Sequence, residues 1–199
     1  VENMKNSLNI IEKYINLLEM REEKEELYIY HYTLKENLKM IKKNGLLSMY
    51  GLYKKEPKIY EKTIADYLER IKRKGYEIGS DIDSIENYFR KRKISTKFIY
   101  FSFWKIEEGL HKGRDEFMKG SIVIKINIKN LQRDWKYHLI HESNVTDILL
   151  KNIKEFCTKD SLEYQKKKGG RFLFSNIPHL AIETNNGIIP LKYLEIEKG

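Results

Sequence analysis

Tyr28-Ile29-Tyr30-His31-Tyr32-Thr33, followed by Leu34-Lys35-Glu36-Asn37-Leu38-Lys39-Met40-Ile41-Lys42-Lys43-Asn44-Gly45-Leu46-Leu47-Ser48, is the stretch from which the fold reads outward. Its first six residues are aromatic and β-branched, which favours a strand. Leu34, Leu38 and Ile41 then recur at helical spacing, with Thr33 placed as an N-cap. Asn44-Gly45 supplies the left-handed stop that ends a helix. The sequence predicts a strand over 28–33, a helix over 34–43 and a second extended or loop-like piece over 46–53. Alternation puts His31 and Thr33 on one face of the strand and Tyr32 on the other.

Upstream, Leu8, Ile11, Ile15 and Leu18 share one face of an amphipathic helix over 4–20, so residues 1–26 read as a helix and linker. Residues 27–199 read as the main domain. Downstream, Ile64, Leu68 and Ile71 predict a helix over 59–74, and Ile82, Ile85, Tyr88 and Phe89 a second over 81–92. Together they form a helical insert at about 58–93. Lys97 to Trp104 is an aromatic strand, and Ser121 to Ile128 a β-branched one. Residues 130–144 are mixed in pattern, and 146–156 fit a helix. Residues 177–184 and 188–196 read as closing strands about Asn185-Asn186-Gly187, a hairpin-turn signal. Helix, strand-helix, helical insert, then strands is an α+β order.

The 41% hydrophobic content, with 14 Tyr and 8 Phe, suffices for a real core. No apolar run approaches the ~18 residues of a membrane span, so no membrane partner is expected. One cysteine, Cys157, excludes an internal disulfide and a Cys-rich zinc cluster, and a reducing cytoplasm is the expected setting. Placed after Phe156, that thiol reads as buried and inert rather than as a nucleophile. The net charge of +9 points to an anionic partner. The cations cluster at Arg70, Lys72, Arg73 and Lys74, at Arg90 to Lys93, and at Lys166, Lys167, Lys168 and Arg171. The first two fit solvated helix ends. The third lies in a Gly-containing loop before the last strands, where it could meet an anionic acceptor. His138-x-x-His141-Glu142 has metal-like spacing on a helix but no evident third ligand, and no metal is expected.

Strand, His-x-Thr, short helix and Gly-Leu resembles the opening of the ADP-ribosyltransferase superfamily. That superfamily includes poly(ADP-ribose) polymerase catalytic domains, DNA-targeting DarT-like toxins and tRNA 2'-phosphotransferases. Ile99-Tyr100-Phe101-Ser102 is similar to the Tyr-Phe-Ser strand of its His-Tyr-Glu branch. The resemblance covers about 28–48, 97–104 and 177–196. It implies two small packed β-sheets with an N-terminal helix and the helical insert added. It also implies NAD as substrate, bound by His31, Thr33, Tyr100 and Ser102, with the Tyr100 ring stacked on nicotinamide. ADP-ribose would pass to a nucleic-acid or protein acceptor approaching past 159–176.

The family's catalytic Glu falls near His179 by register, and Glu183 lies four residues further on the same face, about 13 Å away. His31, Tyr100, His179 and Glu183 are therefore the candidate catalytic residues, expected around one cleft. A carboxylate would polarise the ribose 2'-hydroxyl and stabilise charge growing at the anomeric carbon. A His in that slot suggests altered chemistry. The alternatives are a catalytically silent version of the fold that binds a nucleotide, nucleic acid or protein, and a defence or counter-defence protein whose basic face masks a partner.

Overall fold

The computed structural model describes residues 26–105, 121–141, 144–158 and 178–197. The expected N-terminal helix over 4–20 and the basic loop with Lys166, Lys167, Lys168 and Arg171 lie outside the described residues.

Strand β1 (Tyr28–Leu34) opens the fold, one residue longer than its sequence pattern. Thr33 caps no helix. Its hydroxyl accepts a hydrogen bond from Asn37 Nδ2 at 3.0 Å. A 3-10 turn over Lys35–Asn37 intervenes, and helix α1 runs Leu38–Asn44. Gly45 ends it at φ 83°, with its N–H donating to the Ile41 carbonyl at 2.8 Å. Only Leu46–Leu47 (β2) of the following stretch is extended, because Ser48 caps helix α2 (Met49–Lys55) by accepting from the Gly51 N–H. Pro57 opens α3 (Pro57–Lys72) at its first turn, where its missing N–H costs nothing. Asp81 caps α4 (Ile82–Arg90). Strand β3 (Phe98–Ser102) and β4 (Ser121–Asn127) follow.

The mixed stretch after β4 contains a hairpin, β5 (Lys136–His141) and β6 (Asn144–Asp147), and α5 begins only at Leu150 (Leu150–Thr158). The chain closes with β7 (His179–Glu183), β8 (Ile188–Ile189) and β9 (Glu195–Ile196).

The architecture is α+β. Among the described residues one antiparallel sheet has seven strands in the order β6-β5-β7-β3-β1-β4-β9, and a second has only β2 and β8. Two sheets are present, but of very unequal size. The Asn185-Asn186-Gly187 turn does not close a hairpin. It carries the chain from the large sheet (β7) into the small one (β8).

Residues Ile29, Ile99, Phe101, Ile122, Ile124, Ile126, Leu180 and Ile182 face one side of the large sheet. They pack with Ile41 of α1, Ile153 of α5, and Leu46 and Ile189 of the small sheet. The insert has its own core of Tyr60, Ile64, Ile85 and Phe89. It is tied back where the Tyr50 N–H donates to the Thr96 carbonyl at 3.0 Å, just before β3.

Candidate functional site

Strands β7, β3 and β1 are neighbours, so the strands bearing His179 and Glu183, Tyr100 and Ser102, and His31 and Thr33 lie side by side. Between β1 and β3 the register shows a single rung, Tyr30 opposite Ser102. Beyond it His31 reaches across, its Nδ1 lying 2.8 Å from the Tyr100 carbonyl oxygen. A carbonyl only accepts, so Nδ1 bears the hydrogen and Nε2 keeps its lone pair. The ring also rests against Phe101, centroids 5.6 Å apart.

Burial holds His31 below the usual histidine pKa, outweighing the upward pull of the carbonyl bond. The imidazole is therefore a neutral acceptor near pH 7. The unfolded chain, with an ordinary histidine pKa of about 6.5, binds more protons below that pH than the native state does. This contribution leaves stability highest above about 6.5 and lowers it as pH falls towards the native-state value, by at most about 1.4 kcal/mol per pH unit. His31→Gln is expected to flatten the acid limb of the denaturant midpoint against pH. An unchanged limb would contradict this.

The register divides the candidate residues between two faces. His31 lies opposite Ile124 and shares the core face with Ile29 and Thr33. On the other face Tyr100 stands opposite Ala181, Ser102 opposite His179, and Phe98 opposite Glu183. The expectation that His31, Tyr100 and an acid or imidazole of β7 would line one cleft therefore needs correcting. Strand alternation places their side chains on opposite sides of the sheet, His31 on the core face and Tyr100 with the β7 residues on the other. Ser102 is 7% exposed, and its hydroxyl donates to the Trp104 carbonyl at 2.7 Å and accepts from the Trp104 N–H. That hydroxyl shapes the strand end. Tyr100 is 43% exposed, yet packing about it and the nearby Tyr67 push its pKa up to about 12, so it presents a neutral phenol.

The outer face holds one group that spacing did not reveal. His138 of β5 lies beside Ala181, its ring tilted by 31° against Phe98 with centroids 4.6 Å apart. Its Nδ1 donates to Asp147 at 2.9 Å, and Nε2 faces Glu183 Oε2 at 3.4 Å. That second contact is within ion-pair reach but outside hydrogen-bond geometry, leaving a buried nitrogen without a hydrogen-bond partner. The paired-histidine reading fails here: on a strand, His138 and His141 point to opposite faces. The signal was the alternation around Tyr137-His138-Leu139, obscured by i, i+3 histidines that suggest a helix. Among the described residues no group of three or more His, Cys, Asp or Glu is placed to hold a metal ion. Burial raises the Cys157 thiol to about 12, which keeps it from being a thiolate nucleophile at neutral pH.

A cleft of about 650 Å³ lies beyond the end of β1, between the 3-10 turn and α3. Leu34, Asn37 and Met49 line one part, and Lys58, Lys62, Tyr67 and Arg70 another. Asn37 links this cleft to Thr33. Glu36 and Asp66 also line it, so the three cations Lys58, Lys62 and Arg70 face two carboxylates, and its size suits a nucleotide. No helix among the described residues is long and apolar enough to cross a membrane. Comparison with family models, curated proteins and solved structures finds no match.

Proposed function

We propose that this chain is an NAD-dependent ADP-ribosyltransferase, modifying a nucleic-acid or protein acceptor. The observation that carries the reading is the direct bond from His31 to the Tyr100 carbonyl. Two motif residues far apart in sequence, which the resemblance assigns to one substrate, touch through the Tyr100 backbone carbonyl, with their side chains on opposite faces of the sheet and a cleft of mixed charge beyond the end of β1.

In this reading His31 Nε2 accepts from a ribose hydroxyl, and its neutrality avoids repelling positive charge at the anomeric carbon. The Tyr100 ring offers an electron-rich face to the cationic nicotinamide. Lys58, Lys62 and Arg70 balance the diphosphate. Bound NAD supplies a glycosidic bond already activated for cleavage, nicotinamide leaving with the bonding pair. The acceptor's lone pair forms the new bond to the same carbon and its proton is released. Glu183 is the carboxylate within the candidate set, its Oε2 3.4 Å from His138 Nε2. No metal is assigned a role.

A second reading, a silent fold that binds a nucleotide without transfer, is favoured by one feature. His179, not a carboxylate, stands opposite Ser102 in the slot where the resemblance puts the acid.

Calorimetric titration with NAD tests the pocket. Tyr100→Ala is expected to weaken binding by about 1–3 kcal/mol through lost stacking. His31→Ala should weaken it by about 0.5–1.5 kcal/mol through the lost hydrogen bond. Unchanged affinity in both would refute the pocket.

A further inference from the structure

Two of the basic clusters, separated by sixteen residues or more in sequence, come together at one end of the helical insert. The core of the insert joins Tyr60 and Ile64 of α3 to Ile85 and Phe89 of α4. Further along, Tyr67 meets Phe89 at 5.5 Å and Tyr76 meets Tyr88 at 6.2 Å between ring centroids. The residues just after α3 and the end of α4 therefore meet at one end of the insert, where Arg92 touches both Tyr76 and Tyr88. Their C-terminal ends carry Arg70, Lys72, Arg73 and Lys74 beside Arg90, Lys91, Arg92 and Lys93. All are exposed.

We propose that this end of the insert binds single-stranded nucleic acid. Charge magnitude argues first. A helix C-terminus carries about half a negative charge, so two such ends neutralise roughly one cation. Arg73 pairs with Glu69, but among the described residues Lys72, Lys74, Lys91 and Lys93 have no ion-pair partner. Lys93 even occupies the left-handed region at φ 56°, where glycine would be less strained. Glu69 and Glu77 border the same hollow as Lys72 and Tyr76, but the cations of the two clusters outnumber them, so the surplus is positive.

Aromatic placement argues second, and separates nucleic acid from an acidic protein. The Arg92 guanidinium lies 3.7 Å from the Tyr88 ring centroid and 5.1 Å from that of Tyr76. Tyr76 is half exposed. An acidic peptide has no use for these faces. Unpaired bases stack on them while the flanking lysines track phosphates. The inference is independent of NAD chemistry, since the surface lies on the insert and is read without NAD.

The test is fluorescence anisotropy with labelled oligo-dT and oligo-rU at two salt concentrations. Tyr76→Ala is expected to weaken binding by roughly 5- to 150-fold, and Tyr76→Phe to restore it. Neutralising Lys72, Lys74, Lys91 and Lys93 together should reduce the logarithmic salt slope by about 3, from about 0.7 per single-strand phosphate contact. Lys39→Ala with Lys42→Ala, which removes two exposed charges from α1, should change affinity far less than Lys72→Ala with Lys91→Ala, which removes two from the tip. Circular dichroism and melting confirm that the variants fold. Unchanged affinity and slope in the tip variants would overturn the proposal. So would equal losses in the α1 control, or tighter binding of polyglutamate than of either oligonucleotide.

Discussion

Gly45→Ala is expected to destabilise the fold by about 2–5 kcal/mol, from left-handed strain together with overpacking. Gly45 ends α1 at φ 83°, and an added Cβ would sit 2.3 Å from the Ile189 carbonyl oxygen and 3.2 Å from Pro190 Cα. These are backbone atoms and cannot rotate away. They are fixed because Leu46 pairs with Ile189 in a two-rung sheet, and Ile189 is fully buried. Gly75 provides the comparison. It has the same φ of 83°, but a Cβ there meets nothing within 4 Å. Gly75→Ala should therefore lose only the conformational part, about 1–2 kcal/mol. Denaturant unfolding of both variants measures the difference. Equal, small losses would show that β2 and β8 do not approach α1 as closely as described.

Glu183→Gln is expected to reduce ADP-ribose transfer by about 10²–10³-fold while leaving NAD affinity nearly unchanged. The amide keeps the shape and the half-buried position of the side chain, which is 21% exposed, but loses the negative charge that the proposed mechanism uses. His138→Gln, which removes the imidazole beside Glu183, should produce a smaller loss in turnover with NAD affinity retained. Single-turnover nicotinamide release beside an NAD titration separates the two quantities. A Glu183→Gln protein that turns over normally would remove the carboxylate role.

Much of the frame was legible in local pattern. The aromatic and β-branched runs at 28–33, 97–104 and 121–128 each produced a strand, and Asn44-Gly45 produced the expected left-handed stop. Pro57 and Asp81 bound the insert helices as their chemistry requires. Other parts depended on contacts that spacing cannot express. Met49 to Lys55 forms a helix because Ser48 caps it and Gly51 packs against the Gly187 carbonyl, where a Cβ would come within 2.5 Å. The β5–β6 hairpin was hidden by histidines at helical spacing. The site was legible as strand order but not as geometry. Adjacency of β7, β3 and β1 follows from the expected arrangement. The single rung that separates His31 from Tyr100, and the His138–Glu183 contact, arise from long-range pairing. The meeting of two basic helix ends was equally invisible, because nothing local fixes the relative direction of α3 and α4.

Incubation of the whole chain with NAD labelled in its adenylate half, alongside mixed DNA, RNA and protein acceptors, tests the transferase reading most directly. The account predicts label on a macromolecular acceptor, equimolar release of nicotinamide, and loss of both in Tyr100→Ala and Glu183→Gln. Saturable NAD binding with no label transferred and no nicotinamide released would contradict the transferase and leave the silent nucleotide-binding fold.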